Sequence, residues 1–493
     1  MPIRIALLAL TLCLTACAAR ERTTALSAID PNAGYRYGTL DSIAPKPRPD
    51  TFVVVTFSGG GTRAAALASG ALQGLALASF PNNGKSVNFA DEIDLISSVS
   101  GGSVTSAYYG LYGQKGLPLL TSGFLKRNVQ GHLIGEALLP WTWARLATPS
   151  YARIDALRDY FDDNVYGHAT FQSMLDAATK PSTPGERRPL IVMNASDMSN
   201  GAVFSFTQDQ FDLICSDLAK LPVADAVAAS AAFPVALTAL TLKNRAPCPA
   251  QQAATQNLDT GWQVFDGHPR PTTLQNAMGN QDANPGRYRR GLIQLGYLNE
   301  TGQSPYIQLL DGGVSDNLGL TQPLSLLSSL DSDDSILSLE NLKALKHVVF
   351  VVVNARSEPD NTYGLSATPP GTISTLLTTI GSPIDGTSYA LLEQLRNILH
   401  DSGARDVETY MVPVDFDFIK GPPTAAEACR RAFKNLGTNW SLNDRQVDAL
   451  LQLGTGLVRE SKQFQTLIQK LGGTIAAGPS TAEACKTLAN ALP

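Results

Sequence analysis

The sequence predicts an α/β fold with a mainly parallel central sheet, and three stretches carry that prediction. Thr51–Phe57 (TFVVVTF) is an unbroken β-branched and aromatic run, as expected of a strand buried on both faces. It passes through Ser58-Gly59-Gly60-Gly61 into an Ala- and Leu-rich helical stretch, 62–78, whose small residues permit close packing. Ile93–Val99 repeats the pattern and leads through Ser98-Val99-Ser100-Gly101-Gly102-Ser103 into a second helical stretch, 103–111. Strands that alternate with helices argue for parallel pairing.

Further strands follow. Residues 190–194 read as a buried strand that returns through Ser199-Asn200-Gly201 toward Phe206 as a hairpin, and 306–310 and His347–Asn354 read as core strands. The apolar stretch 223–242 is interrupted by Asp225 and Pro234, so it reads as a buried helix followed by a loop or strand, not as a membrane span. Residues 244–304, rich in Gln, Asn, Gly and Pro, read as a surface insertion of loops. Beyond 421 the pattern is helical, notably over 444–464. Two similar phrases, Thr424-Ala425-Ala426-Glu427-Ala428-Cys429 and Ser480-Thr481-Ala482-Glu483-Ala484-Cys485, suggest matching helix starts. Trp141, Trp143 and the apolar stretch 133–139 are read as core packing, with immersion in lipid as the other reading.

The chain has 493 residues, 44% hydrophobic and 16% charged, which is enough for a sizeable core. Its net charge of -5, without a long basic run, points away from nucleic acid. Mild acidity gives no attraction to anionic lipid, so any membrane contact must come from apolar surface or a covalent anchor. The first four residues are a short positive region and 5–14 an apolar one, too short to span a bilayer. Leu14-Thr15-Ala16-Cys17 then resembles the bacterial lipobox, in which the signal is cut before the cysteine and the cysteine is lipidated. A plain secretory signal is the alternative. Ala18 in place of Asp leads to the expectation of an exported, outer-membrane lipoprotein. The domain reading is a signal at 1–16, a polar tether at 17–50, a main domain at 51–420 and a helical C-terminal extension at 421–493.

Of the six cysteines, Cys13 leaves with the signal. The four others, Cys215, Cys248, Cys429 and Cys485, allow three pairings, and export permits disulfides. Proximity in sequence favours Cys215 with Cys248 and Cys429 with Cys485, with free buried thiols as the alternative. No Cys-x-x-Cys, no clustered histidines and no acidic calcium loop occur, so neither metal nor cofactor is expected. The sequence carries no signal of oligomeric state.

Three motifs carry the chemistry. Ser100 lies between a strand and a helix, where a tight turn can lift a serine hydroxyl into reach of a base; the usual Gly-x-Ser-x-Gly has Ser98 in its first place and Gly102 in its last. Gly59, Gly60 and Gly61 offer backbone N–H groups to a developing oxyanion, without the Walker ending that a nucleotide site needs. Asp311, followed by Gly312 and Gly313 at a strand's end, is placed to accept the serine proton; its alternative meaning is a turn aspartate.

Together these motifs resemble the patatin-like phospholipases: a glycine loop followed by Arg, a serine elbow, and a distant Asp-Gly-Gly, in that order. The resemblance implies a patatin-like three-layer sandwich and a Ser–Asp dyad without histidine that hydrolyses acyl esters of membrane or other lipids. It gives Ser100 as nucleophile, Asp311 as base and Gly59, Gly60 and Gly61 as the oxyanion hole. Gly101, Gly102, Gly312 and Gly313 would be supporting residues, and Arg63 would steady the loop or the substrate phosphate. Residues 228–234 and 190–206 are similar to the family's small-residue helix and its central strand and hairpin. Ser58, where plant patatins have Asp, and Ser98 bring the chain nearer to the cytosolic phospholipase branch and bear on substrate preference. Two other readings remain: an α/β-hydrolase triad using His347 or His400, and a non-catalytic surface lipoprotein that binds lipid or a partner.

Overall fold

The computed structural model describes residues 21–36, 50–148, 150–180, 186–234, 236–279, 281–282, 285–328, 345–358, 367, 386–397 and 407–491. Cys17 and His400 lie outside them, as does half of the expected tether.

Among these residues the central sheet has eight strands: β1 (Thr51–Phe57), β2 (Ile93–Val99), β3 (Leu190–Asp197), β4 (Val203–Ser205), β5 (Leu240–Lys243), β6 (Tyr306–Asp311), β7 (His347–Asn354) and β8 (Glu408–Asp415). Their order is β8-β7-β1-β2-β3-β6-β5, with β4 folded back on β3. From β8 to β3 every pairing is parallel. β6 runs antiparallel to both β3 and β5. The interior strands β1, β2 and β3 are buried along their whole length, which is why none of them alternates between apolar and polar residues as a half-exposed strand does.

Helices flank this sheet: α1 (Gly61–Ala76), α2 (Gly101–Tyr112), α3 (Val129–Ala137), α4 (Pro140–Leu146), α5 (Arg153–Phe161), α6 (Val223–Ser230), α7 (Pro285–Tyr297), α8 (Pro423–Lys434), α9 (Asp444–Glu460), α10 (Lys462–Lys470) and α11 (Thr481–Ala489). The small residues of α1 serve contact with α9. A Cβ on Gly70 would stand 2.3 Å from the Leu451 carbonyl, and one on Gly454 would stand 2.4 Å from that of Leu67. Thr455 Oγ1 donates to the Gly70 carbonyl at 2.9 Å. The C-terminal helices are therefore pressed onto the helix that follows the glycine loop. The helical stretch 444–464 divides at Ser461, whose side chain caps α10. Of the two similar phrases only the second forms a capping box, between Ser480 and Glu483; α8 begins behind Pro422 without a side-chain cap. Cys429 of α8 is bonded to Cys485 of α11, and Cys215 to Cys248.

Three expectations need correction. The stretch 244–304 is not a run of loops: it contains a hairpin, Trp262–Phe265 with His268–Pro271, and the helix α7. Its turn is Asp266-Gly267 with both residues at positive φ, the local signal for a two-residue hairpin that its polar composition obscured. Residues 21–36 are not a free tether, because Thr24–Ala25 pairs with Ser216–Asp217 and Arg36 reaches Asp209 and Asp212. Trp141 and Trp143 are not core residues: they are 62% and 67% exposed. Among the described residues no helix is long and apolar enough to cross a membrane.

Candidate active site

β1 and β2 are parallel neighbours, so the loops at their C-terminal ends emerge side by side. Ser100 follows β2 at φ 50°, ψ -121° and is the N-cap of α2. A non-glycine residue at such a φ is strained, and the strain turns the chain sharply from strand into helix. The turn is possible only because its neighbours have no Cβ. One on Gly101 would lie 2.1 Å from the Gly61 carbonyl, and one on Gly102 would lie 2.6 Å from Phe57 Cβ. The glycine loop and the serine elbow thus touch, and the N-termini of α1 and α2 meet beside the Ser100 side chain.

Ser98 occupies the place of the usual first glycine because the structure gives its hydroxyl partners: Ser106 Oγ at 2.6 Å and Ser103 Oγ at 3.2 Å. Ser58, the other departure from the plant pattern, accepts the Ala355 N–H at 2.8 Å and so joins the glycine loop to the end of β7.

Asp311 ends β6 and is buried. The Ser100 side chain is close enough to its carboxylate to favour the ionised form, and the Gly313 N–H donates to its Oδ1 at 2.8 Å. Burial pushes the Asp311 carboxyl up to about 6, against the Gly313 N–H and the Ser100 hydroxyl, which favour the ionised form. Gly312 is packed so tightly that a Cβ there would stand 2.3 Å from the Asn194 carbonyl, which keeps the Asp311 turn against β3. Asp316, a few residues on, is also buried and accepts from the N–H groups of Leu318 at 3.1 Å and Thr321 at 2.6 Å, fixing the exit of this turn.

The three loop glycines are not equivalent. The Gly59 N–H donates to the Asn317 carbonyl at 3.1 Å, so it is not available to an oxyanion, contrary to the expectation for that residue. A Cβ on Gly59 would lie 3.3 Å from Ser100 Cβ and 2.6 Å from Asn317 Oδ1, so Gly59 serves as a spacer against the elbow. Among the described residues, no group accepts from the N–H of Gly60 or Gly61. Gly60 caps α1 at φ 139° and Gly61 is its first residue, so these N–H groups belong to the unsatisfied set at a helix N-terminus.

Arg63 is buried and is spent on partners within the fold. Its Nε donates to the Ala355 carbonyl at 2.8 Å, Nη1 to the Leu436 carbonyl, and Nη2 to Thr438 Oγ1 at 2.9 Å. Burial pushes it down to about 10. Of the two expected roles, steadying the loop matches this placement and contact with a phosphate does not.

Several residues that complete the site carry no local motif. Ser230 Oγ, at the end of α6, accepts the Ser100 N–H at 2.8 Å. The Asn439 carbonyl accepts the Thr62 N–H at 2.9 Å and crowds Gly61. A cavity of about 760 Å³ opens over the site. Ser100, Asp311 and Gly61 lie on its lining with Leu133, Ile134, Ala137, Leu146, Leu157, Phe233, Leu237 and the loop 434–440. It is a mainly apolar chamber with a minority of polar groups, Ser100 and Asp311 among them, the form of a binding site for a ligand with an apolar body.

His347 stands at the start of β7, opposite Thr51 at the start of β1, so it is at the other end of the sheet from Ser100 and pairs with Glu408 at 3.4 Å. Among the described residues one group with the donor types of a cation site does come together, Asp162, Asp163 and His168. It is absent from the cavity lining, and Arg158 already pairs with Asp162.

The family model for patatin-like phospholipases matches residues 55–324. Similar solved structures include the human GIVD cytosolic phospholipase A2, at 12% identity and a TM-score of 0.40 over 89% of this chain and 63% of that one. The same human protein in complex with methyl gamma-linolenyl fluorophosphonate aligns at 11% identity, TM-score 0.37, over 89% and 60%. VipD from Legionella pneumophila aligns at 12% identity, TM-score 0.19, over 96% and 94%. The chain spans less than two thirds of the length of the human protein. No curated protein matches it.

Proposed function

The chain belongs to the patatin-like phospholipase family, and we propose that it hydrolyses the acyl esters of lipids through a Ser100–Asp311 dyad. The observation that carries this reading is the placement of Ser100, on its strained elbow, and the buried Asp311 carboxylate together on the lining of one mainly apolar chamber. Ser100 Oγ attacks the ester carbonyl carbon while its proton passes to Asp311. Negative charge gathers on the carbonyl oxygen, where the N–H groups of Gly60 and Gly61 and the ends of α1 and α2 stabilise it. Collapse of this intermediate expels the alcohol, which takes the proton from Asp311 and leaves an acyl-Ser100 ester. Water then repeats the sequence, Asp311 taking its proton, and releases the fatty acid. The chamber suits an acyl chain, since its walls are aliphatic and aromatic.

An aspartate at its ordinary pKa is a feeble base. Burial raises the proton affinity of Asp311 toward the range in which it can both accept and release a proton near neutrality. The test is fluorophosphonate labelling with peptide mapping, alongside turnover of short-chain esters and defined phospholipids. Stoichiometric labelling of Ser100, lost in Ser100→Ala, is the expected outcome. Labelling at Ser103, or turnover that survives Ser100→Ala, sinks the reading. As part of the same proposal the protein is an exported lipoprotein anchored through Cys17, which intact-mass analysis of the mature N-terminus would test.

A further inference from the structure

The cavity is walled on one side by the pair α3–α4, which turns both faces to use. Leu133, Ala137 and Leu146 line the chamber that holds Ser100. On the outside, Leu138 is 73% and Trp141 62% exposed, and Trp143 stands beside them. The indole N–H of Trp143 donates to the Ala137 carbonyl at 2.7 Å, so the corner between the helices is held firm with its apolar side chains outward. Isolated exposed apolar residues are ordinary; three large ones within six residues, on helices whose other side chains line a cavity, are not.

The N-terminal strand indicates what covers this corner. Arg22 inserts between Asp155 of α5, at 2.6 Å, and Asp225 of α6, at 2.5 Å, with all three side chains buried. Asp155 lies in the first turn of α5, the helix that directly follows α4 and whose Arg153, Ala156 and Leu157 also line the chamber. Cys17 precedes Arg22 by five residues in the sequence. Five residues reach at most about 17 Å. An acyl group carried on Cys17 is therefore confined to the neighbourhood of α5 and cannot roam on a long leash.

We propose that the outward face of α3–α4, centred on Leu138 and Trp141, seats the protein on a lipid layer, with the docked N-terminal strand holding the cavity mouth toward that layer. Tryptophan and leucine on one helical corner suit the boundary between headgroups and acyl chains, where the ring gains apolar contact and keeps its polar edge wet. A lipid then passes from the layer into the chamber without crossing water. The proposal gives the hydrolase reading its route of access, but it can be tested without turnover.

The experiment uses the full chain carrying Cys17→Ser, so that no acyl anchor contributes, and vesicles of a dialkyl ether phosphatidylcholine that no esterase can cut. Partitioning is measured by sedimentation with the vesicles, and burial of Trp141 by quenching with chain-brominated lipid. The parent is expected to bind and to be quenched. Leu138→Ser with Trp141→Ser, neither of which lines the cavity, is expected to weaken partitioning by about tenfold or more while turnover of a soluble short-chain ester and the melting temperature stay unchanged. Trp141→Phe, a milder change, is expected to keep most of the binding and to lose the share of the quenching that Trp141 contributes beside Trp143. Equal partitioning of parent and double variant overturns the proposal, as does a parent that does not bind. A parent that dimerises through this face and ignores vesicles makes the face an interface between copies and overturns it too. Absence of ester turnover in the parent as well as in every variant would instead count against the hydrolase reading and leave the binding result standing.

Discussion

Ser230 Oγ accepts the backbone N–H of Ser100 at 2.8 Å and donates to the Asn194 carbonyl at 2.6 Å, so the elbow is tied from behind to β3. The same short segment holds the other half of the site. The Asp311 N–H donates to the Ala232 carbonyl and the Gly312 N–H to the Ser230 carbonyl, each at 3.0 Å. Ser230 at the end of α6 and Ala232 just beyond it thus set the position of both members of the proposed dyad.

Removing the Ser230 hydroxyl leaves a buried N–H unsatisfied behind a strained turn, at a cost of about 1–3 kcal/mol. Ser230→Ala is expected to lower kcat by about 10–100-fold with KM little changed, and to slow fluorophosphonate labelling of Ser100 in proportion. Unaltered labelling in a folded variant would show that the elbow holds itself.

Ser100→Ala and Asp311→Asn are each expected to lower turnover by about 1,000-fold or more, and the double variant to be little worse than either. A double variant whose losses multiply would mean that the two residues act independently. His347→Ala is expected to retain activity, since that residue lies at the far end of the sheet.

The Asp311 carboxyl, pushed up to about 6 by burial, predicts two opposite pH effects. The base must be ionised, so kcat/KM should fall about tenfold per unit below pH 6 and level off above 7. Stability runs the other way. The folded state holds the proton more tightly than the unfolded chain, so the favourable contribution is complete below pH 3.8 and is lost as pH rises through about 6. At pH 8 this amounts to roughly 3 kcal/mol. Asp311→Asn should therefore be inactive yet more stable than the parent at pH 8, with the gain vanishing near pH 4. Denaturant titration at the two values decides it.

The motifs that were legible in the sequence are those whose meaning is local. Strand runs such as Thr51–Phe57 and the glycines around Ser100 declare a buried strand or a tight turn by composition alone. Ser230, Asn317 and Asn439 do not, because each acts through a backbone or hydroxyl contact made across the fold. In the sequence Gly59 stands level with Gly60 and Gly61, because a run of glycines looks uniform; only the Asn317 carbonyl separates them. Trp141 and Trp143 read as core because aromatic residues among leucines usually are. Their exposure follows from the placement of α3–α4 over the cavity, which no period in the sequence encodes.

The glycine loop gives a sharper test of the oxyanion reading. A Cβ on Gly60 would be held at φ 139° and would stand 2.9 Å from Arg63 Nη2. Gly60→Ala is expected to lower kcat by about 100-fold or more through displacement of the N–H donors. Gly201→Ala serves as the control, since that residue also has positive φ but its Cβ meets open space. If both variants lose equal stability and equal activity, backbone strain alone explains the effect and the oxyanion role fails.

The last prediction concerns the C-terminal extension, which the match at 55–324 does not reach. α8 ends at Lys434 and runs straight into the loop 434–440 that walls the cavity, and the Asn439 carbonyl in that loop braces the start of α1. The bond from Cys429 to Cys485 ties α8 to α11 across a separation of 56 residues. In the chain-entropy view a loop of that size stabilises by about 4 kcal/mol. Replacing both cysteines with Ser should lower stability by up to that amount. Because the tie lies one turn of helix and a half from the cavity wall, it should also slow turnover of long-chain esters more than that of short ones, which need less of the chamber. Equal losses for both chain lengths in a folded variant would confine the disulfide to a purely stabilising role. An unchanged melting temperature would mean that α9 alone, packed along α1, holds the extension in place.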